Sequence, residues 1–215
     1  MNVQTLPNKS SHSAIHALDE LIPAHIWAHG GIIEVISEQH DLSQLRLILP
    51  ALERLAKNGR WLAWVGSPFR CTSESLQQLS TDPFKLLQVY PGKQTKHLSV
   101  LGKALSTGRC SAVMAWSKQH NDHELQQLKQ AARKGNAIGI LLSQQNPQQT
   151  QHTQADLQLT LQHTGQGLMI NLKAPHLLGQ RCYHLVNTPE QKKRATLASQ
   201  SETDANQQPS QLSFF

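Results

Sequence analysis

The 215-residue chain is short of aromatic residues (5%), short of charge (16% Asp, Glu, Lys and Arg) and short of cysteine, with three in all. Each scarcity excludes a class. Cys71, Cys110 and Cys182 are odd in number and form no CxxC pair, so neither a disulfide framework nor a zinc knuckle is signalled and a reducing cytoplasm is expected. No run approaches the ~18 apolar residues that span a bilayer. The opening MNVQTLPNKSSHSAIH also lacks the charged-then-apolar layout of a signal peptide, so no membrane partner is expected.

The chain also lacks a phosphate loop. An ATP-using α/β domain follows its first strand with a glycine-rich turn whose backbone N–H groups cradle phosphate, and a Lys-Ser/Thr pair opens the next helix. Here that place reads Glu38-Gln39-His40-Asp41-Leu42-Ser43, without glycine or lysine and with two repelling carboxylates. The strand over 112–115 delivers Trp116-Ser117 where an acidic residue would hold Mg²⁺. GxSxG, HExxH and suggestive carboxylate pairs are missing too. The residues therefore give a binding protein with no cofactor. A Cys71 or Cys110 nucleophile stands as the alternative to an inert thiol.

What is present is amide and imidazole: 26 Gln and 12 His. His25/His29 and His120/His123 have helical spacing, but no Cys, Asp or Glu completes a ligand set, so they read as surface polar residues and no metal is expected. Net charge is +6, and residues 61–143 carry ten Lys or Arg against four Asp or Glu. An electrostatic partner should meet the middle of the chain.

Residues 1–17 read as a polar, disordered arm with a short helix following over 17–22 and stopped by Pro23. Buried strands are expected at 32–36, 61–65, 85–90, 111–116 and 137–142. Helices fall between them, from Leu42 to Asn58-Gly59, at 72–79, at 95–105 and at 122–133. Strands apolar throughout that alternate with helices imply a parallel sheet covered on both faces. After a connector at 143–154, Leu157, Leu159 and Leu161 alternate with polar residues. Met169, Ile170 and Leu172 return after Gly165-Gln166-Gly167, which gives an antiparallel hairpin with one wet face, and 181–186 could add a third strand. Trp61, Trp64 and Trp116, at strand positions, read as core. The domain so defined is 18–186, and 187–215 is a polar tail.

Four patterns then stand out. They are the stretch Leu45 to Pro50; Arg60-Trp61-x-x-Trp64; Ala104-Leu105-x-Thr107-Gly108-x-x-x-Ala112-Val113-x-x-Trp116; and Ala131-Ala132-x-x-Gly135-Asn136-Ala137-x-Gly139. Together they resemble the SulA/ImuA superfamily of bacterial SOS proteins over residues 18–173. The resemblance implies a RecA-like fold, degenerate because it has lost both Walker motifs, and induction by DNA damage. It offers two functions. The ImuA branch serves translesion DNA synthesis beside an ImuB-like polymerase homologue and RecA; the lead-in 18–27 and the hairpin 157–173 look more like that branch. The SulA branch blocks division by binding FtsZ, and there the resemblance implies contact through Arg60, Trp61 and Lys85.

The chain ends Gln211-Leu212-Ser213-Phe214-Phe215, which matches the pattern by which bacterial repair proteins dock on the DNA sliding clamp, save that Leu is commoner at the position of Phe214. Leu212 and the phenylalanines would bury apolar area while Gln211 bonds at the rim. The alternative is a tail that folds back or marks the chain for degradation. Lys93, Lys96, Lys103, Arg109, Lys129, Arg133 and Lys134 form a candidate patch for an acidic partner, DNA included; its alternative is a solvated helix face.

Overall fold

The computed structural model describes residues 3–5, 22–38, 42–68, 85–92, 97–116, 120–144, 154–164, 167–174 and 181–186. In chain order the elements are β1 (Val3–Thr5), α1 (Ala24–His29), β2 (Gly31–Ser37), α2 (Leu42–Ala56), β3 (Trp61–Val65), β4 (Leu86–Val89), α3 (His97–Ser106), β5 (Cys110–Trp116), α4 (Asp122–Gly135), β6 (Ile138–Gln144), β7 (Leu157–Thr164), β8 (Gly167–Lys173) and β9 (Arg181–Val186). The strands form one sheet in the order β1-β9-β8-β7-β2-β6-β5-β3-β4. From β7 to β4 every pair is parallel. β7, β8 and β9 run antiparallel to one another in turn, and β1 joins β9 in parallel. This is the expected α/β architecture, a mostly parallel sheet with an antiparallel C-terminal extension.

Two apolar layers explain why the central strands are hydrophobic at every position. Ile33, Val35, Leu62, Trp64, Met114 and Ile140 pack with Ile26 of α1 and Ile48, Ala51 and Leu52 of α2. The alternate side chains Ile32, Ala63, Val65, Val113, Ala115 and Leu141 meet Leu101 and Leu105 of α3 and Leu125, Leu128 and Ala132 of α4. Each such aliphatic side chain contributes about 1.5–3 kcal/mol on burial.

Helix α4 shows how closely the local sequence specifies its ends. Asn121 Oδ1 accepts from Glu124 N at 2.9 Å while Asn121 N donates to Glu124 Oε2 at 3.1 Å, a reciprocal cap that fixes the first turn. The helix stops at Asn136, whose φ of 45° lies in the left-handed region that asparagine tolerates.

Several expectations change. Pro23 precedes α1 as its N-cap and starts a helix, because a fixed φ and a missing N–H cost nothing there; residues 17–21 of the expected helix lie outside the described residues. The expected N-terminal arm contributes β1, with Val3, Gln4 and Thr5 opposite Cys182, Tyr183 and His184. The polar side of β7 is not wet at its start: Gln158 and Thr160 are buried, and Gln158 Nε2 donates to Glu34 Oε2 at 3.3 Å from the neighbouring strand. The helix expected at 72–79, most of the connector, the tail 187–215 and its pentapeptide Gln211, Leu212, Ser213, Phe214 and Phe215 lie outside the described residues.

Candidate interaction site

The amino ends of β4, β3, β5 and β6 lie side by side, and they gather the residues of interest. Trp61 N donates to Arg109 O at 3.0 Å, and Leu62 N donates to Lys85 O at 2.8 Å. Trp61 therefore sits between Lys85 and Arg109. With Leu62 opposite Leu86 and Ala63 opposite Leu87, strand alternation puts the side chains of Trp61, Lys85 and Leu87 on one face of the sheet. Trp61 is 45% exposed, Leu87 47% and Tyr90, just beyond β4, 58%, and these are the large apolar side chains left open among the described residues.

The expectation that all three strand tryptophans are core needs correction at Trp61. Trp64 and Trp116 are buried edge to face, with ring centroids 5.4 Å apart. Trp61 is the first residue of β3, ahead of four that are buried.

Arg60 is the clasp beneath this surface. Its guanidinium donates to Gly108 O at 3.3 Å, Gly135 O at 3.0 Å and Asn136 O at 2.5 Å. Those carbonyls follow or end α3 and α4, where backbone acceptors have no intrahelical partner and the helix dipole favours a cation. The two helix ends meet because residue 135 is glycine: a Cβ there would run into the Leu105 carbonyl. Lys85 Nζ lies 3.4 Å from Gly59 O, over the turn that leads into Arg60. Of the three residues carried by the resemblance, Trp61 and Lys85 are open to solvent, while Arg60 is half-buried and engaged with backbone.

The structure divides the seven-cation patch. Lys129 Nζ reaches Asp156 Oδ1 at 3.0 Å and Gln154 O at 2.9 Å, and Arg133 reaches the same carboxylate at 3.4 Å, so both anchor β7 to α4. Lys103, Arg109 and Lys134 are exposed. Arg109 and Lys134 adjoin Gly108 and Gly135, the carbonyls held by Arg60, whereas Lys103 lines a shallow groove of about 340 Å³ with Leu98, Gly102 and Leu128. Lys93 and Lys96 lie outside the described residues. The described stretches 57–68, 85–92 and 97–116 contain Lys57, Arg60, Lys85, Lys103 and Arg109 and not one Asp or Glu. Composition had hinted at this local sign; the exposure of Leu87 had no signal in the sequence, because it stands beside Leu86 in a strand expected to be buried.

The chemistry here is that of contact. Burial pushes the Cys110 thiol up, against the opposing pull of Arg60, so it stays protonated near neutral pH and is inert; Cys71 is outside the described residues. At the other end of the sheet, His97 is held below its usual range by burial and then by His120, which itself lies 3.3 Å from Glu124. No three His, Cys, Asp or Glu among the described residues converge to hold a metal ion. No helix among them is long and apolar enough to cross a membrane.

The family model for cell division inhibitor SulA matches residues 30–139, about half the chain. The chain belongs to the SulA family. Cell division inhibitor SulA of Erwinia pyrifoliae is 31% identical over 145 residues, covering 66% of this chain and 86% of that protein. The Serratia marcescens protein of the same name is 29% identical over 117 residues, 54% of this chain and 70% of that one. A crystal structure of SulA from Pseudomonas aeruginosa aligns with a TM-score of 0.43 at 24% identity, over 52% of this chain and 96% of that chain. These relatives carry the SulA name and none carries ImuA, which moves the weight of the resemblance to the branch it had placed second. The description that the family model and these relatives carry is that of an inhibitor and not of an enzyme. The matched span contains β2 to β5 and α4, hence Arg60, Trp61, Lys85, Arg109 and Lys134.

Proposed function

We propose that this chain inhibits cell division by binding FtsZ and stopping its polymerisation, with Trp61, Lys85 and Leu87 as its contact face. The observation that carries this reading is the exposed tryptophan at the start of an otherwise buried strand, set between Lys85 and Arg109. An interface needs such an aromatic anchor, and a solvated strand end does not. Inhibition of this kind is stoichiometric and uses no cofactor. Expression of the chain in growing bacteria should give long, undivided filaments, and the Trp61→Ala, Lys85→Ala double variant, at equal protein level, should restore normal length. Filaments that persist with the double variant would reject the contact face; normal division with the native chain would reject the function.

The pentapeptide Gln211–Phe215 supports a separate, additional reading, that the chain can dock on the DNA sliding clamp as translesion factors do. Under that reading ImuB-like and RecA partners would follow. Titration of purified clamp with the full chain and with a version lacking residues 211–215 tests it, and equal affinity for the two rejects it.

A further inference from the structure

We infer that the contact face extends past the β3–β4 edge along a cationic ridge, built from Arg109 and Lys134 as well as Lys85, which takes an acidic rim on the partner protein around its pocket for Trp61. This inference rests on the reading of the chain as a division inhibitor and adds the chemistry and kinetics of its docking.

The ridge follows from the topology. Lys85 ends the approach to β4, Arg60 and Trp61 open β3, Arg109 precedes β5, and Lys134 precedes the Gly135-Asn136 turn into β6. Neighbouring strands lie about 4.8 Å apart, so the row of four backbones spans about 15 Å. Arg60 binds the backbone at Gly108, ahead of β5, and at Gly135-Asn136, ahead of β6, which ties the segments that carry Arg109 and Lys134 to the start of β3. Lys85, Arg109 and Lys134 are exposed, the described stretches 57–68, 85–92 and 97–116 around the first two hold no Asp or Glu, and the two carboxylates of the stretch that carries Lys134, Asp122 and Glu124, lie in the first turn of α4, at the opposite end of that helix. A cationic rim around a half-exposed indole and an open Leu87 is the arrangement of a protein interface, with apolar anchors at the centre and charge at the edge. The open aliphatic side chain favours a protein surface over nucleic acid, whose contacts run to phosphate and base faces.

Rim charges act on encounter and central anchors act on residence. Arg60 is on this account a positioning residue: its fork reaches three carbonyls that a single ammonium cannot reach together.

The test measures association and dissociation rates of the full chain with purified FtsZ at low and high salt. Arg109→Glu with Lys134→Glu should lower the association rate at least tenfold at low salt and flatten its salt dependence, while the dissociation rate changes less than threefold. Trp61→Ala should do the reverse. Arg60→Lys should lose part of the association rate and Arg60→Ala more, and circular dichroism identifies any variant that fails to fold. An association rate for the Arg109/Lys134 variant within twofold of native would overturn the ridge while leaving FtsZ binding intact. No binding of FtsZ by the native chain would overturn both readings. Tighter binding of a 30-nucleotide single strand than of FtsZ, lost in the same variant, would overturn the protein partner in favour of nucleic acid.

Discussion

Asp156 is the residue on which the join between the parallel sheet and its antiparallel extension depends. It is 3% exposed; Oδ2 accepts from Ile32 N at 2.9 Å, and Oδ1 faces Lys129 Nζ at 3.0 Å and Arg133 at 3.4 Å. Its own N–H donates to Ile32 O at 2.9 Å, so backbone and side chain together fix β7 to β2. In Asp156→Ala the buried Ile32 N–H is left without its acceptor, at a cost of about 1–3 kcal/mol. Lys129, 19% exposed, loses its ion-pair partner and keeps only Gln154 O and water, for about 1 kcal/mol more, and the mostly exposed Arg133 adds little. The sum is about 3 kcal/mol, which for a domain of this size lowers Tm by about 6–12 °C. Asp156→Asn keeps a carbonyl for Ile32 N–H and loses only the charge, so about 1–2 kcal/mol is expected. Thermal unfolding of the full chain, followed by circular dichroism, reads both. A fall below 2 °C for Asp156→Ala, or equal falls for the two variants, would refute the reasoning.

Gly135→Ala should destabilise by about 1–3 kcal/mol, from overpacking against the Leu105 carbonyl, although alanine is the better helix former; chemical denaturation that shows a gain would contradict the close approach. His97 titrates below 6.5 when folded and near 6.5 when unfolded, so the unfolded chain binds more protons on acidification and stability falls as pH drops below about 6.5. His97→Asn should have a flatter stability profile between pH 7.5 and 5.5, and an unchanged slope would exclude that contribution. Cys110 should react with a thiol reagent at pH 8 far more slowly in the native chain than in denaturant, since burial keeps both access and thiolate fraction low. Equal reactivity of that cysteine in both states, read by mass spectrometry, would contradict its burial.

The parallel core was legible because β2, β3, β5 and β6 are apolar almost throughout and the helices between them end on Asn58-Gly59, Thr107-Gly108 and Gly135. Helix α1 was not legible because proline both stops and starts helices, and only the residues after it decide whether a new one begins. Gln158 and Thr160 look like a solvent face by alternation, yet Gln158 is buried where Glu34 provides an acceptor on the next strand, a non-local pairing that no period reveals. The site was legible in half. Arg60-Trp61 and Lys85 came from the resemblance, and the charge of residues 61–143 from composition, but the division of the seven cations was not. Lys129 and Arg133 look like Lys134 in sequence; only the fold brings Asp156, more than twenty positions later, beneath two of them. Trp61 was hidden for the opposite reason, since one exposed and two buried tryptophans share the same strand context.

The most direct measurement is sedimentation of purified FtsZ polymer with GTP in the presence of increasing amounts of this chain or of its Trp61→Ala, Lys85→Ala variant. The native protein should cause a loss of pelletable polymer that saturates near one chain per FtsZ. For the variant the requirement should be at least tenfold higher, with circular dichroism showing the variant still folded, since Lys85 is exposed and Trp61 nearly half-exposed. Undiminished polymer at a molar excess of the native chain, or inhibition by the variant at the native dose, would contradict this reading.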